Sequence, residues 1–215
     1  MLKFYANPTS TYCAKVRIAL GVKGVDFETI PPPGGHGAPE FLKIVPMGTI
    51  PAIQDGDFIL SESDVVIEYL DEVYPEPTLL PGDAKARARQ RFFSRYHDLW
   101  LEPHLRDTFI HKRPAELDPA VLAFHLDNYQ ARLRQLDTLI DPKPFMASET
   151  ISIADCAYPG TFTFADILLP HLGRESTYGP NLQAWRETTF KHPAVKKATD
   201  ESAHATLEWI ARLSD

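Results

Sequence analysis

The chain has 215 residues, of which 44% are hydrophobic and 24% are charged, and 29 acidic residues against 22 basic ones give a formal net charge of −7. This length and composition allow one large domain or two small ones with a proper core, and an acidic chain without a basic block argues against nucleic acid as a partner. No run approaches the roughly 20 apolar residues of a membrane span, so we expect no membrane partner.

The first segments read as strand, turn and helix. A strand-like run at residues 2–6 leads through a turn into an apolar-striped helix that begins near Thr11 and that Gly24 can end. Ser10 stands at this junction, where a helix offers unpaired N–H groups and the positive end of its dipole. A hydroxyl there can cap the helix, which is the commoner role of a lone serine, or help to hold an anion such as a thiolate.

The remainder of the first 77 residues continues the alternation of strands and helices, which predicts a small sheet with helices packed on it. The further elements are a strand at 26–30, a loop at 31–37, a short helix at 39–44, a hairpin of strands 50–53 and 58–60 around a tight turn, and a helix at 63–74.

Two places in this region suit a peptide ligand. Pro51 cannot donate a ladder hydrogen bond, and a cis Ile50–Pro51 bond would turn the Ile50 backbone outward. Ser63 can cap the next helix and present N–H groups to a carboxylate, while Glu62 can meet an ammonium group.

Beyond a stretch at 75–82 with three prolines and a glycine, the pattern is nearly all helical. We predict a first domain at 1–77, a linker at 78–85 and a helical domain at 86–215. In the helical domain we expect a helix from Pro119 to about Ile140, and a capping box at Ser152–Asp155. Pro159-Gly160 should kink or break the helix that follows.

Two further residue types bear on compartment and metal binding. Two cysteines, Cys13 and Cys156, fit a reducing compartment, and no signal-peptide pattern precedes the first strand, so we expect a cytoplasmic protein. His97, His104 and His111 are spaced by seven, whereas ligands on one helix are usually three or four apart, so we expect no metal.

Several of these segments, in this order and spacing, resemble the cytosolic glutathione transferases over nearly the whole chain. The resemblance rests on a serine motif at 10–17 like that of the tau, phi, theta and zeta classes, an Asn-Pro-x-Gly-Lys-Val-Pro-like segment at 45–53, a Glu-Ser helix at 61–70, a Phe-Leu-x-Gly and Ser-x-Ala-Asp box at 145–155, and a C-terminal pattern at 182–195. It implies an α/β thioredoxin-like N-terminal domain, an all-α C-terminal domain, glutathione as cosubstrate and a homodimer.

The resemblance also implies roles for individual residues. Ser10 would hydrogen-bond the glutathione sulfur, Ile50 with Pro51 would pair with the cysteinyl part, and Glu62 and Ser63 would hold the γ-glutamyl end. A shift of about two pKa units, or about 2.7 kcal/mol, makes the thiol mostly thiolate at pH 7. A hydrogen bond to a charged group contributes about 1.5–3 kcal/mol and a helix N-terminus about 0.3–1 kcal/mol, so neither a metal nor a general base is needed.

Some positions depart from the family pattern. Thr49 stands where the family has Lys or Gln that meets a glutathione carboxylate, and His36 or Lys43 are candidate replacements. Residues 10–13 correspond to a Cys-x-x-Cys motif in which Ser10 replaces the first cysteine. Cys13 is left as a candidate redox thiol that could form a mixed disulfide with glutathione.

The electrophile site of the family lies between the domains, and our candidates for it are Tyr12, Tyr96, Trp100 and Phe109.

The charge pattern offers a clue to assembly. Acidic residues mark the helix after Ser63 and basic residues mark the next one, and in the family these helices meet across the dimer. The charged residues are Asp64, Glu68, Asp71 and Glu72 on the first helix, and Lys85, Arg87, Arg89, Arg91 and Arg95 on the second.

We therefore interpret the chain as a serine-type glutathione transferase that adds glutathione to small, largely apolar electrophiles, as in detoxification. The alternatives are a zeta-type glutathione-dependent isomerase, a Cys13-dependent oxidoreductase, and a non-catalytic fold-mate used in protein assembly. The zeta class usually has Ser-Ser-Cys where this chain has Ser10-Thr11-Tyr12. Retention of Ser10, Ile50-Pro51 and Glu62-Ser63 together disfavours the non-catalytic alternative.

Overall fold

The structure is a computed structural model that describes residues 1–109 and 117–213. Four strands precede most of the helices, and a π-helical turn at His97–Leu101 joins two helices directly. The strands are β1 (Leu2–Tyr5), β2 (Phe27–Ile30), β3 (Ala52–Asp55) and β4 (Phe58–Ser61). The helices are α1 (Thr11–Lys23), α2 (Pro39–Leu42), α3 (Ser63–Val73), α4 (Ala84–Tyr96), α5 (Glu102–Arg106), α6 (Pro119–Leu139), α7 (Ile153–His171), α8 (Pro180–Thr189) and α9 (Pro193–Leu213).

The strands form one mixed sheet in the order β2-β1-β3-β4. β1 pairs in parallel with β2 and antiparallel with β3, and β3 and β4 form the hairpin that the sequence predicted, with Gly56 at a φ of 62° in its turn. One face of the sheet packs against α1 and α3 through a core that includes Phe4, Val16 and Ile67. The other face packs against α2 through Phe41.

The core around α1 does not end at the sheet. Ile153 and Cys156 of α7 and Val195 and Ala198 of α9 belong to the same buried cluster. Cys156 is fully buried. Helix α1, which begins just after Ser10, is therefore held between the sheet on one side and two C-terminal helices on the other.

Helix α7 contradicts part of the sequence analysis. The chain was expected to kink or break at Pro159-Gly160, and a break is wrong, because α7 runs from Ile153 to His171 with Pro159 inside it. Proline costs the helix one backbone donor. A Cβ on Gly160 would lie 2.4 Å from the Ala14 Cβ, so glycine at this position allows α7 to approach α1 closely.

The capping box at the start of α7 is confirmed. Ser152 N and Oγ donate to Asp155 Oδ2 at 2.9 and 2.7 Å. The other oxygen of Asp155 accepts from Met146 N at 2.8 Å and from Trp185 Nε1 at 2.7 Å. One buried carboxylate thus joins the loop before α7 to α8.

Part of the charge pattern of α3 and α4 is paired within one chain. Arg91 Nε and Nη2 each lie 2.9 Å from a Glu68 oxygen, and Ser94 Oγ donates to Asp64 at 2.7 Å. Asp71 is paired with Lys23 of α1. Three of the four acidic groups assigned from sequence to a dimer contact therefore have partners in their own chain, and the dimer stays a prediction.

Over residues 1–109 and 117–213, none of the helices combines the length and the apolar character that crossing a membrane requires. The same residues contain no group of three or more His, Cys, Asp or Glu side chains arranged to hold a metal ion. His111, the last of the three evenly spaced histidines, lies outside the described residues.

Candidate functional site

Two neighbouring cavities meet near the start of α1 and share Thr49, Ile50 and Arg106. The Ser10 cavity has a volume of about 490 Å³ and the Glu62 cavity about 340 Å³. The Ser10 cavity is lined by Asn7, Thr9, Ser10, Thr11, His36, Gly48, Thr49, Ile50, Arg106 and Phe109. The Glu62 cavity is lined by Tyr12, Thr49, Ile50, Pro51, Glu62, Ser63, Arg95, Asp98, Leu99 and Arg106. The structure therefore brings together the residues that the resemblance assigned to glutathione.

Ser10 is the N-cap of α1, and its Oγ accepts a hydrogen bond from Cys13 N at 3.2 Å. A hydroxyl can accept through its oxygen and still donate its own proton. The neighbouring hydroxyls are already in use, since Thr9 Oγ1 donates to Asn7 Oδ1 at 2.8 Å and Thr11 Oγ1 donates to Glu102 Oε1 at 2.7 Å. Ser10 lines the cavity, and its hydroxyl also hydrogen-bonds the buried Cys13 thiol, so a ligand atom must compete with that thiol for its proton.

Ile50 occupies the wall common to both cavities, immediately before β3. The Ile50–Pro51 bond is cis, the conformation that the sequence analysis had considered. The paired register of β3 with β1 begins at Ala52, opposite Tyr5, so Ile50 lies outside the ladder.

The start of α3 differs from the sequence prediction. Ser63 was expected to cap the helix, but Glu62 is the N-cap and makes no side-chain capping bond, while Ser63 is the first helical residue and is buried. Glu62 has a φ of 74°, the one positive φ of a non-glycine residue in the described part of the chain. Such strained backbone is concentrated at functional sites. The first intrahelical bond goes from Val66 N to the Glu62 carbonyl, so the N–H groups of the preceding turn are free for an anion.

A buried ionic network lies beneath the Glu62 cavity. Lys15 Nζ, fully buried, lies 2.5 Å from Asp64 Oδ1 and 3.0 Å from Asp98 Oδ1. His97 bridges Asp98, 2.7 Å from its Nδ1, and Thr161, 2.6 Å from its Nε2. Burial alone would raise the pKa of Asp98, but the His97 hydrogen bond and the Lys15 charge outweigh it and hold that pKa well below its usual range.

A second ionic pair faces both cavities from α5. Glu102 is fully buried and accepts from Arg106 Nε at 3.0 Å and from Arg106 Nη2 at 2.8 Å. The Arg106 guanidinium lies 4.6 Å from the centre of the Tyr12 ring. Burial, together with the charges of Glu102 and Asp98, raises the pKa of Tyr12 well above its usual value, so this phenol stays neutral.

The candidates for the electrophile site are divided by the structure. Phe109 lines the Ser10 cavity and packs against Phe164, with ring centres 4.7 Å apart, and Tyr12 lines the Glu62 cavity. Tyr96 is buried and donates to the Arg132 carbonyl at 2.9 Å, and Trp100 is half exposed. Neither Tyr96 nor Trp100 lines either cavity.

Cys13 lies inside the core rather than at a cavity wall. It is fully buried, and this burial raises the pKa of its thiol despite the hydrogen bond with Ser10. A thiolate, which is the reactive form of cysteine, is therefore disfavoured at this position. Of the candidates to replace the missing Lys or Gln, His36 lines the Ser10 cavity, whereas Lys43 lines neither cavity.

Comparison with known proteins agrees with this architecture. A tau class glutathione S-transferase from mango (Mangifera indica L.) superimposes on this chain with a TM-score of 0.82 at 25% identity. The superposition covers 99% of this chain and 97% of the mango chain. The protein therefore has the glutathione transferase fold. The family model of the glutathione S-transferase N-terminal domain matches residues 4–78. These findings assign residues 4–78 to the glutathione S-transferase N-terminal domain and give the chain as a whole the glutathione transferase fold.

The sequence relatives fall into two kinds. Glutathione S-transferase Z1 of Arabidopsis thaliana is 49% identical over 90 residues, which is 40% of this chain and 41% of that protein. Matches of this kind thus span about two fifths of the length of the relatives concerned. A stringent starvation protein A homolog of Coxiella burnetii is 27% identical over 208 residues, 94% of this chain and 93% of that protein.

Proposed function

We propose that the protein is a glutathione transferase that binds glutathione along the two joined cavities and uses its thiolate to attack small electrophiles. The observation that carries this proposal is Ser10, which caps α1 through its oxygen and lies on the wall of a cavity, where its proton can turn from the Cys13 thiol to a ligand sulfur. In this scheme residues 1–77 hold glutathione, residues 78–85 form the linker between the two domains, and the helical residues 86–215 complete the electrophile side. We further propose a cytoplasmic homodimer with a role in detoxification.

The Glu62 cavity suits the γ-glutamyl end of glutathione, which carries one ammonium and one carboxylate. Glu62 is exposed on the cavity wall and supplies a carboxylate for the ammonium. The unpaired N–H groups at the start of α3 and the Ser63 hydroxyl supply donors for the carboxylate. Ile50, on the wall common to both cavities, lies between that end and Ser10 and would pair with the cysteinyl part.

In the Ser10 cavity the thiol loses its proton to water, and Ser10 and the α1 N-terminus stabilise the thiolate that remains. The carbon–sulfur bond then forms at the electrophilic carbon, and the leaving group departs with its bonding electrons. The nucleophile thus belongs to glutathione, and Ser10 acts by electrostatic stabilisation. No side chain of the protein needs to form a covalent intermediate.

Two observations favour alternatives. The 42% identity to a maleylacetoacetate isomerase of Pseudomonas aeruginosa over 96 residues supports glutathione-dependent isomerisation as the second candidate reaction. The nearly full-length match to a stringent starvation protein A homolog, which is not named as a transferase, keeps a non-catalytic fold-mate as the rival outside enzymes. Oxidoreductase chemistry at Cys13 is disfavoured, because that thiol is fully buried.

Calorimetric titration with glutathione, followed by conjugation of 1-chloro-2,4-dinitrobenzene, tests the proposal. Glu62→Gln removes the partner of the ammonium and should weaken glutathione binding about tenfold or more. Glu72→Gln, a matched change at an exposed position on the same helix that lines neither cavity, should leave binding unchanged.

Three outcomes separate the candidates. Binding with stoichiometric consumption of glutathione supports the transferase. Isomerisation of a cis-unsaturated diketo acid by catalytic amounts of glutathione, with no conjugate, supports the isomerase. Absence of glutathione binding would refute both and favour the non-catalytic fold-mate.

A further inference from the structure

Arg106 is held rigidly at the junction of the two cavities. Its Nε and Nη2 are bound by Glu102, and its guanidinium lies over the Tyr12 ring. Glu102 is itself fully buried and is fixed by Thr11 Oγ1. The Arg106 side chain keeps 30% of its exposure and lines both cavities. The result is a positioned guanidinium on the wall that the two cavities share.

The charge of the cavity lining points to an anionic ligand. In a chain with 29 acidic and 22 basic residues, the lining of the Ser10 cavity includes Arg106 and His36 but no aspartate or glutamate among the described residues. Glu102 neutralises part of the Arg106 charge, but it lies behind the guanidinium and is not part of the lining. A planar guanidinium is well suited to a carboxylate, because its N–H groups match the two oxygens.

Within the Ser10 cavity, Arg106 and the sheet-region loops lie on different elements of the fold. Arg106 ends α5 and Phe109 follows three residues later, so both reach the cavity from the helical side. His36, Gly48 and Thr49 reach it from the loops of the sheet region, where the remaining carboxylate of glutathione can be met. Arg106 and the Phe109 ring therefore share the helical side of this cavity, which is the side open to a second substrate.

We infer that Arg106 makes this site selective for electrophiles that carry a carboxylate next to a flat, apolar reacting group. The inference rests on the proposed transferase function and narrows its substrate class. In the reaction, the glutathione thiol proton goes to solvent, the sulfur forms a bond to the activated ring carbon, and the carbon–chlorine bond breaks with loss of chloride. The substrate carboxylate stays intact and binds Arg106 throughout.

Two electrophiles that differ in one charge test the inference: 4-chloro-3,5-dinitrobenzoate and the neutral 4-chloro-3,5-dinitrobenzamide. Each kcat/KM is divided by the uncatalysed rate constant with glutathione, which removes the difference in ring reactivity. We expect the protein to favour the benzoate by about tenfold or more, the effect of one hydrogen bond between charged groups. Equal normalised values would overturn the inference and leave the transferase function standing.

Variants locate the preference at Arg106. The double variant Arg106→Gln with Glu102→Gln avoids a buried unpaired carboxylate and should lose about tenfold on the benzoate while the amide changes by less than about threefold. Arg106→Lys keeps the charge and should retain part of the preference. The matched control is Arg91→Gln with Glu68→Gln, which removes a similar bidentate pair outside both cavities and should change neither substrate.

Calorimetry with glutathione distinguishes the remaining possibility. If the double variant binds glutathione about tenfold more weakly and loses activity equally on both electrophiles, Arg106 serves glutathione and the inference is wrong. If glutathione affinity is retained and the benzoate alone is affected, the inference is supported. A protein that neither binds glutathione nor conjugates either compound refutes the proposed function, and the inference with it.

Discussion

Replacing Ser10 tests whether one hydroxyl both caps α1 and binds the glutathione sulfur. The cap rests on a hydrogen bond of 3.2 Å from Cys13 N. Alanine at an N-cap costs about 1 kcal/mol of stability, whereas glycine costs only a few tenths and aspartate caps as well as serine does. Ser10→Gly therefore removes the hydroxyl with little loss of the cap, and Ser10→Asp keeps the cap but places a negative charge beside the sulfur.

The expected effect on the thiol follows from the lost hydrogen bond. A bond to a charged group is worth about 1.5–3 kcal/mol, and one pKa unit corresponds to about 1.36 kcal/mol, so the pKa of the bound thiol should rise by about 1–2 units in Ser10→Gly. No adjacent hydroxyl can compensate without giving up its own partner, because Thr9 and Thr11 donate to Asn7 and Glu102. At neutral pH, kcat/KM should fall about 10- to 100-fold.

The assay is the ultraviolet absorbance of the thiolate in the glutathione complex as a function of pH, measured together with the melting temperature of each variant. Ser10→Gly should show the raised pKa at a nearly unchanged melting temperature, and Ser10→Asp should be stable and almost inactive. A thiol pKa in Ser10→Gly equal to that of the unmodified protein would refute the reasoning. So would activities that simply follow the melting temperatures of the two variants and the unmodified protein.

Three further outcomes follow from the packing. Gly160→Ala should destabilise the fold by about 1–3 kcal/mol, measured by denaturant unfolding, because the new methyl group would meet the Ala14 Cβ. Cys13→Ala should keep conjugation within about twofold, since a buried thiol with a raised pKa supplies no thiolate, and a large loss would return the chemistry to Cys13. The lowered pKa of Asp98 means that its ionised form stabilises the fold above about pH 4 and that this stability is lost as pH falls. The melting temperature of Asp98→Asn should therefore depend less on pH, between about 5 and 3, than that of the unmodified protein. Parallel curves of melting temperature against pH for the two proteins would contradict the role of the Lys15 pair.

Local signals in the sequence were sufficient to predict much of the fold. The cap at Ser10, the end of α1 at Gly24, the hairpin turn at Gly56 and the capping box at Ser152 all lie where their residue types predicted them. Each depends on the side chains and backbone conformation of a few neighbouring residues. These features can therefore be predicted from short stretches of sequence.

The parts that sequence reasoning missed depend on distant residues. The Thr11–Glu102 hydrogen bond joins positions 91 apart, and the Lys15–Asp98 pair joins positions 83 apart, so no local pattern could indicate either. At α3, the preference of serine for N-caps suggested Ser63, whereas the structure places the turn one residue earlier, at Glu62.

The charge pattern shows the same limitation. Segregation by sign on α3 and α4 was interpreted as a contact between two copies of the chain. In the structure, Glu68 pairs with Arg91, and Asp64 pairs with Lys15 and accepts a hydrogen bond from Ser94, all within one chain. Composition can report that opposite charges exist on two helices, but it does not say whether the helices meet within a chain or between chains.

The placement of α1 restricts how the two halves of this chain can be recombined. Ser10 sits at the end of a helix whose opposite side is buried by Ile153, Cys156 and Val195, and whose Ala14 faces Gly160. A chimera that joins residues 1–77 to the helices of another relative would inherit a foreign surface against α1. Unless its counterpart of α7 also carries a glycine where the two helices cross, α1 and Ser10 at its start would shift. New specificities are therefore more readily gained by changing loops around the cavities than by exchanging whole halves.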